Sequence, residues 1–386
     1  MKIAIRITAL LMPLTFLCLH SCQEEDVKVI SDPLLHVLSS DDPKISRVMK
    51  SPEKFEVQVL YTRIQRTKDS VVFDEYSYQE DPQRYFYPAS TVKLPIAILA
   101  LEKLNEIDSL DRNTRFYIEG DTVETTFAND ISSIFAISDN AANNRLLEFL
   151  GQDDINQRLQ TKEVGPVRIA HRLGQHSEFL TTKPLILYLN DSTLTPTRSI
   201  NNRAAVPLEL KGIEKGMAYI EDDSTIGETY SFALKNYYPL RTQHEVLKRI
   251  VFPEKFKRDQ QFSITSEQRE FLLSSMKSLP REAGHDPDEF PDAYAKFFIY
   301  GDSKKPIPGN IEIFNKVGFA YGTLTDCAYI RDVENDIEFL LTATILVNEN
   351  GIFNDDQYEY EEIGIPFLAA LGRGIYEFEQ QLKEQS

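Results

Sequence analysis

The chain of 386 residues carries 60 Asp and Glu against 42 Lys and Arg, which gives a net charge of −18, and 42% of its residues are hydrophobic. This composition predicts a globular protein, and the length allows either two domains or one large α/β domain with an insertion. The negative charge, with no basic stripe to offset it, argues against nucleic-acid binding. The three cysteines and six histidines lack the spacing of a zinc site, so we expect no metal and no cofactor.

Residues 1–21 have the pattern of a secretory signal peptide. A positively charged start precedes an apolar run over residues 7–19, which is too short to span a bilayer stably. The run ends in Leu-His-Ser-Cys at residues 19–22, which resembles a bacterial lipobox and predicts lipidation of Cys22. The alternative is a free or buried cysteine that follows an uncleaved hydrophobic segment.

The signal peptide and the sequence after it set the expected location and domain organisation. An acidic run over residues 23–26 is similar to the export signal of surface lipoproteins in some Gram-negative bacteria. We therefore expect an outer-membrane lipoprotein of the cell envelope that faces the periplasm or the cell surface. Residues 22–38 are predicted to be a tether, and residues 39–386 a single domain with an expansion of loops at about 184–308.

Strands are predicted near both ends of this domain and helices between them. Alternation and apolar periodicity predict a hairpin over 55–62 and 70–74, helices over 91–106 and 140–150, strands over 326–330 and 337–347, and a last helix over 363–381. The fold class predicted from this order is α+β, with an antiparallel sheet from both chain ends and a helical region inserted between them.

Ser90 and Lys93 form an S-x-x-K element, whose spacing on a helix brings the amine and the hydroxyl to one face. The same pattern also starts at Ser51 and Ser274, so the pattern alone is weak. Ser90, however, is placed at the start of a buried helix, where free N–H groups stabilise an oxyanion and lower the pKa of a nearby lysine. The alternative is that Ser90 serves only as a helix N-cap.

Two further motifs accompany this element. The tripeptide Ser138-Asp139-Asn140 precedes a predicted helix, and such a tripeptide is expected on the order of 0.1 times by chance in a chain of this length. Its alternative reading is a helix cap. Lys316 and Gly318 form a K-x-G element just ahead of the last strands, where a strand-end lysine and a turn glycine are the alternative.

Together, in this order and setting, the three motifs resemble the penicillin-recognising serine enzyme superfamily, most of all class A β-lactamases and related serine hydrolases. The resemblance covers about residues 40–380. It implies that Ser90 is the nucleophile, that Lys93 accepts its proton, and that Ser138 relays protons to the leaving group. It also implies a structural role for a buried Asp139.

The resemblance further implies a set of substrate-binding groups. Asn140 would hold the substrate amide, and Lys316 and Gly318 would lie on the strand that edges the cleft. The backbone N–H groups of Ser90 and Phe319 would form the oxyanion hole.

The sequence departs from the family at two positions of the expected site. Val317 stands where the family has a hydroxyl residue, and it cannot donate a hydrogen bond to a substrate carboxylate. Gly174 stands where the deacylating glutamate is expected, and Glu178 comes four residues late. His171 or His176 could replace that base, unless they are ordinary solvated loop side chains. An acyl-enzyme without such a base should persist.

These observations favour a serine hydrolase that acts by acyl transfer through an acyl-enzyme on Ser90. Its expected substrate is a small molecule or peptide with an amide, ester or peptidoglycan-type bond, and its expected membrane contact is the lipid anchor. Two alternatives stay open at this point. One is a true class A β-lactamase that hydrolyses β-lactam antibiotics, and the other is a non-catalytic envelope binding lipoprotein on the same fold.

Overall fold

The computed structural model describes residues 32–68, 70–174 and 178–385. The predicted signal peptide and the predicted lipidation site at Cys22 lie outside these residues. Within the described part of the chain, no helix has the length and apolar character that a membrane span needs.

The secondary structure, in chain order, consists of the following elements. The α-helices are α1 (Pro33–Leu38), α2 (Pro43–Met49), α3 (Lys93–Leu104), α4 (Phe127–Ala136), α5 (Asn140–Leu150), α6 (Gln152–Thr161), α7 (Leu240–Val251), α8 (Ser266–Lys277) and α9 (Ile365–Glu384). The strands are β1 (Gln58–Arg66), β2 (Val71–Tyr78), β3 (Arg115–Ile118), β4 (Thr125–Thr126), β5 (Leu185–Asn190), β6 (Thr193–Pro196), β7 (Glu214–Lys215), β8 (Ala218–Glu221), β9 (Ser224–Ile226), β10 (Tyr230–Ser231), β11 (Ile311–Ala320), β12 (Thr323–Asp332), β13 (Ile337–Leu346) and β14 (Ile352–Phe353). Short 3-10 segments lie at Ala89–Val92, Pro253–Lys255, Pro280–Ala283 and Asp292–Ala295, and a π-helical turn at Tyr360–Gly364.

The main sheet is antiparallel and has the strand order β11-β12-β13-β1-β2. Its first two strands in sequence come from the start of the domain and pair as a hairpin, and its other three come from the end. The predicted fold class, an antiparallel sheet from both chain ends with a helical region inserted between them, is therefore confirmed.

Helices cover both faces of this sheet. One face buries apolar side chains of α1, α2 and α9, and the other buries side chains of α3 to α8. Helix α3 lies inside the second layer because it is apolar nearly all round, and its Pro95 is tolerated so close to the helix start. This buried helix holds the S-x-x-K element at a fixed place beside the sheet.

The start of the domain differs from the prediction. The folded unit begins at Asp32, whose side chain caps α1 by accepting a hydrogen bond from the Leu35 N–H at 2.9 Å. Leu34 is fully buried, and α1 packs against α9. The tether predicted over residues 22–38 therefore ends before α1, because the short apolar run at 33–38 docks onto a helix from the other end of the chain.

The predicted expansion at 184–308 also needs correction. Helices α7 and α8 bury Leu247, Ile250, Leu272 and Met276 in the core beneath the main sheet, so they are part of the domain's framework. The material outside this framework is the segment with the short strands β7 to β10. Strand β14, which follows the main sheet in sequence, pairs with β8 in that segment.

Candidate active site

Ser90 lies in the 3-10 turn Ala89–Val92 that leads directly into α3. Ala89 has a left-handed φ of 45°, and the Thr91 hydroxyl donates to the Pro88 carbonyl oxygen at 2.7 Å, which together fix the turn. The cap residue is Pro88, and no side chain caps the turn, so the alternative reading of Ser90 as an N-cap is wrong. In the described part of the chain, the Ser90 hydroxyl has no side-chain hydrogen-bond partner and lines a cavity.

Lys93 is fully buried one helical turn after Ser90. Its Nζ donates to Asn140 Oδ1 at 2.7 Å, to Ser138 Oγ at 3.2 Å and to the Ser138 carbonyl oxygen. Burial lowers the pKa of Lys93 to about 7, although the nearby Asp139 carboxylate acts in the opposite direction. A large share of the amine is therefore neutral near pH 7, which a general base requires.

Ser138 bridges the two lysines of the site. Lys316 Nζ donates to Ser138 Oγ and to the Val317 carbonyl oxygen, both at 2.8 Å. Burial and repulsion by Lys93 lower the pKa of Lys316 well below its usual value. Ser138 itself has a left-handed φ of 58°, a costly conformation for a non-glycine residue that is common at functional sites. The structure thus brings the three sequence motifs together at one point.

Asp139 has the structural role that was expected of it. Its carboxylate caps α5 by accepting hydrogen bonds from the N–H groups of Ala141 at 2.7 Å and Ala142 at 3.1 Å. The residue is half-buried rather than buried. The cap fixes the start of α5 and so directs the exposed side chain of Asn140 into the cavity.

Gly318 lets strand β11 pass directly beside the Ser90 turn. A Cβ atom at this position would lie 2.6 Å from the Pro88 carbonyl oxygen and 2.9 Å from the Ser90 nitrogen. Only a glycine fits that approach. Ser90 and Phe319 consequently line the same cavity, as the proposed oxyanion hole requires.

We predict that Gly318→Ala lowers the rate of acylation of Ser90 at least tenfold. The added methyl group must displace backbone atoms of the Ser90 turn, since the atoms it meets belong to the main chain, and a misplacement of about 1 Å can cost ~100-fold in rate. The rate of labelling by a reactive serine probe measures the effect. Gly309→Ala is the matched control, because a Cβ there has open space. Equal labelling of Gly318→Ala and wild type would contradict the prediction.

The cavity has a volume of about 410 Å³. Ser90, Asn140 and Gly174 line it near the catalytic motifs, and Tyr321 and Tyr358 line it farther out. Its lining carboxylate within the described residues is Asp356, which is exposed. In the same part of the chain, no group of three or more His, Cys, Asp or Glu side chains is arranged to hold a metal ion.

His171 is buried, and its environment leaves it no role as a base. The ring donates from Nδ1 to the Arg172 carbonyl oxygen at 2.6 Å and accepts at Nε2 from the Asn236 N–H at 3.2 Å. Burial lowers the pKa of His171 to about 4, so the ring is neutral with both nitrogens occupied. Both expectations for His171, a replacement base and a solvated loop side chain, are wrong. His176 lies outside the described residues.

Gly174 lines the cavity beside Asn140, at the place where the resemblance calls for a glutamate. Its φ is 79°, and a Cβ atom there would lie 3.8 Å from Asn140 Nδ2. Glu178 is exposed and does not line the cavity. Within the described residues, neither position 174 nor Glu178 therefore supplies a carboxylate to the cavity.

The sequence analysis missed the ion pair that holds this loop. Arg172 forms a two-pronged, buried pair with Glu148 of α5, with N–O distances of 2.6 and 2.9 Å, and also donates to the Thr181 carbonyl oxygen at 3.1 Å. Asn144 accepts from the Leu173 N–H at 3.0 Å and donates to its carbonyl oxygen at 2.8 Å. The sequence feature that could have revealed the pair is Glu148, a charged residue on the apolar side of α5.

A second missed group lies behind Lys316. Lys296 is buried and donates to Asn315 Oδ1 at 2.7 Å, and Asn315 Nδ2 donates to Asp326 Oδ1 at 2.8 Å. Burial raises the pKa of Asp326 to about 6 and lowers that of Lys296 to about 7. These polar side chains point inward from strands and from a loop distant in sequence, so periodicity does not reveal their contact.

Comparison with known proteins gives one similarity at the level of sequence and several at the level of fold. Residues 43–199 match the model of the β-lactamase enzyme family. A comparison with curated protein sequences gave no match.

Solved β-lactamase structures share the fold over nearly the whole chain. The enzyme from Xanthomonas campestris has a TM-score of 0.52 at 13% identity, covering 90% of this chain and 98% of that one. A class A β-lactamase representative from Bacteroides cellulosilyticus has a TM-score of 0.50 at 12% identity, covering 91% and 99%. The enzyme from Sphaerobacter thermophilus has a TM-score of 0.50 at 11% identity, covering 90% and 96%. The β-lactamase family model thus matches residues 43–199, and the fold of the solved β-lactamases extends over about nine tenths of the chain.

Proposed function

We propose that the protein is a serine hydrolase that acts by acyl transfer through an acyl-enzyme on Ser90. The observation that carries the proposal is the buried network in which Lys93 and Lys316 both bind the Ser138 hydroxyl, beside a cavity lined by Ser90. Two buried amines are costly to keep in a protein that only binds, since each loses its hydration. A role in proton transfer explains why both amines are buried.

The chemistry follows from this arrangement. Ser90 Oγ attacks the carbonyl carbon of the substrate, and its proton passes to the neutral amine of Lys93. The N–H groups of Ser90 and Phe319 stabilise the oxyanion. The bond from the carbonyl carbon to the leaving nitrogen or oxygen then breaks, and the leaving group takes a proton through Ser138. A water molecule later attacks the ester carbonyl and releases Ser90.

The last of these steps is proposed to be slow. Gly174 offers no side chain to activate the water, and His171 has both nitrogens occupied. Val317 also offers no hydroxyl to a substrate carboxylate. These features argue against efficient turnover of β-lactam antibiotics, and the proposed substrate is an amide, an ester or a peptidoglycan-type peptide.

We predict that Gly174→Glu speeds release of the acyl group at least tenfold, because the new carboxylate would start next to Asn140 in the same cavity. The left-handed φ of residue 174 costs the variant about 1–2 kcal/mol of stability. The measurement is the decay of the acyl-enzyme mass after excess reagent is removed. Gly174→Gln is the control, since it carries the same strain without a base. Equal decay for both variants would contradict the prediction.

The proposed function is tested by the intact mass of fragment 23–386, which contains the whole folded unit. The fragment is incubated with a penicillin and, separately, with a reactive serine probe. A stable adduct with both is the expected result. Destruction of penicillin without a lasting adduct would identify a true β-lactamase. No adduct and no loss of either reagent would leave the non-catalytic binding protein as the better reading.

We further propose that Cys22 carries a lipid anchor that holds the enzyme in the outer membrane of the cell envelope. The support is the order of charged start, apolar run, small residue and cysteine in the sequence. We predict that Cys22→Ser moves the protein from the membrane fraction to the soluble fraction and blocks lipid labelling. Cys327→Ser is the matched control, because that thiol is buried in the domain. Unchanged lipid labelling of Cys22→Ser would contradict the anchor.

A further inference from the structure

Three aromatic residues, here called the aromatic wall (Tyr230, Phe232 and Tyr321), pack together at one end of the cavity, and Tyr321 is the member that lines it. The Tyr321 ring lies 5.4 Å from the Tyr230 ring in a stacked arrangement and 5.4 Å from the Phe232 ring edge-on. Tyr321 follows β11 directly, whereas Tyr230 and Phe232 come from the segment with short strands that lies outside the framework. This segment therefore supports the ring of Tyr321, which lines the cavity.

The same segment places one cation at this end. Lys235 lines the cavity, and its Nζ lies 5.9 Å from the centroid of Tyr230 and 6.0 Å from that of Tyr321. Its backbone is fixed on both sides, because its N–H donates to the Phe232 carbonyl oxygen at 2.9 Å and its own carbonyl oxygen accepts from Arg168 at 2.5 Å. The aromatic faces hold the ammonium without neutralising it.

Lys235 is available to a ligand. No carboxylate in the described residues lies within ion-pair distance of its ammonium, and the exposed Asp356 on the same cavity does not pair with it. The other strongly basic side chain that lines the cavity, Arg172, is occupied by Glu148. In a chain with a net charge of −18, an unpaired cation in the active-site cavity needs an explanation.

Strand β11 gives the position of this cation relative to the chemistry. Lys316 lies beside Ser138, Gly318 lies beside Ser90, and Tyr321 follows the end of the strand at Ala320. With about 3.3 Å per residue, Lys316 and the strand end are separated by ~13 Å. Lys235 therefore lies on the other side of the reacting carbonyl from Lys316.

We propose that Lys235 binds a carboxylate at the far end of the acyl part of the substrate, while Tyr321, held by the rest of the aromatic wall, packs against the apolar chain that joins this carboxylate to the reacting carbonyl. The assignment rests on the proposed acyl transfer at Ser90 and names the class of acyl donor. A carboxylate on the acyl side matches the charge of Lys235 and the apolar surface around it.

Two esters with equal chain length test this assignment. The p-nitrophenyl monoester of adipic acid carries a carboxylate on its acyl group, and p-nitrophenyl hexanoate has the same six carbons without charge. The first-turnover release of p-nitrophenolate is measured, with Ser90→Ala as the background. Lys235→Met keeps an apolar stem over the aromatic wall, and Lys235→Glu reverses the charge. Lys248→Met is the matched control, because Lys248 also lies over an aromatic ring, 4.4 Å from the centroid of Phe73, but outside the cavity.

The expected result is a selective loss. Lys235→Met lowers acylation by the adipate ester about tenfold or more, Lys235→Glu lowers it further, and hexanoate acylation stays within about twofold for both. Lys248→Met leaves both esters unchanged. Equal effects on the two esters, or no effect on either, would overturn the assignment while leaving acylation of Ser90 intact. Failure of both esters to acylate Ser90 in the wild type would instead count against the proposed function and remove the basis of this assignment.

Discussion

Replacing Ser90 with alanine is expected to abolish acylation while leaving the fold intact. The hydroxyl is the proposed nucleophile, so its loss removes the atom to which the acyl group is proposed to bind. It has no side-chain hydrogen-bond partner in the described residues and caps no helix, so the free energy of unfolding should change by no more than about 0.5 kcal/mol. Mass after exposure to an acylating probe and a denaturant melt measure the two effects.

Ser274→Ala is the matched control for this experiment, since Ser274 begins another S-x-x-K pattern on the exposed side of α8. That variant should be acylated like wild type. Acylation that survives in Ser90→Ala would show that another residue is the nucleophile. A large loss of stability would show that the hydroxyl mainly supports the turn.

The second large effect is expected for Lys93→Met. Removal of a general base typically costs 10²–10⁴-fold in rate, and the acylation rate should fall within about that range. In the wild type, the rate should rise with pH and reach half of its maximum near pH 7, because only the neutral amine accepts the proton of Ser90 and burial lowers the pKa of Lys93 to about 7. The measurement is the acylation rate from pH 5 to pH 9.

Two variants make this result decisive. Lys103→Met removes another lysine of α3, one that donates to the Phe149 carbonyl oxygen and lies outside the cavity, and it should keep the wild-type profile. Lys93→Met should lose the rise near pH 7. A profile that keeps this rise in Lys93→Met would assign it to another group and would exclude Lys93 as the base.

Local patterns predicted the parts of the fold that depend on nearby residues. The helix predicted over 140–150 coincides with α5, and Gly151 ends it with a left-handed φ of 81°, which suits a glycine. The predicted hairpin and the last two long strands also formed, with small shifts at their ends. The S-x-x-K, S-D-N and K-x-G motifs could be found because each places its reactive groups within three residues.

Other features depend on contacts between distant segments, which periodicity does not encode. Helix α1 is short, and it is held in the domain by contacts with α9, α2 and β2, with Leu34 fully buried. His171 is buried, and its Nε2 accepts a hydrogen bond from the N–H of Asn236, which comes from a segment far along the chain. Lys235 also lies on the cavity because of contacts between segments that are distant in sequence. The types of these residues alone do not predict that they contact segments so distant in sequence.

The central claim is that Ser90 carries the acyl group, and the most direct test is to locate the adduct. Fragment 23–386 is labelled with a reactive serine probe and digested, and the modified peptide is sequenced by tandem mass spectrometry. We expect one adduct, on Ser90, with Ser138 unmodified. An adduct on Ser138 or on another residue, with Ser90 unmodified, would contradict it.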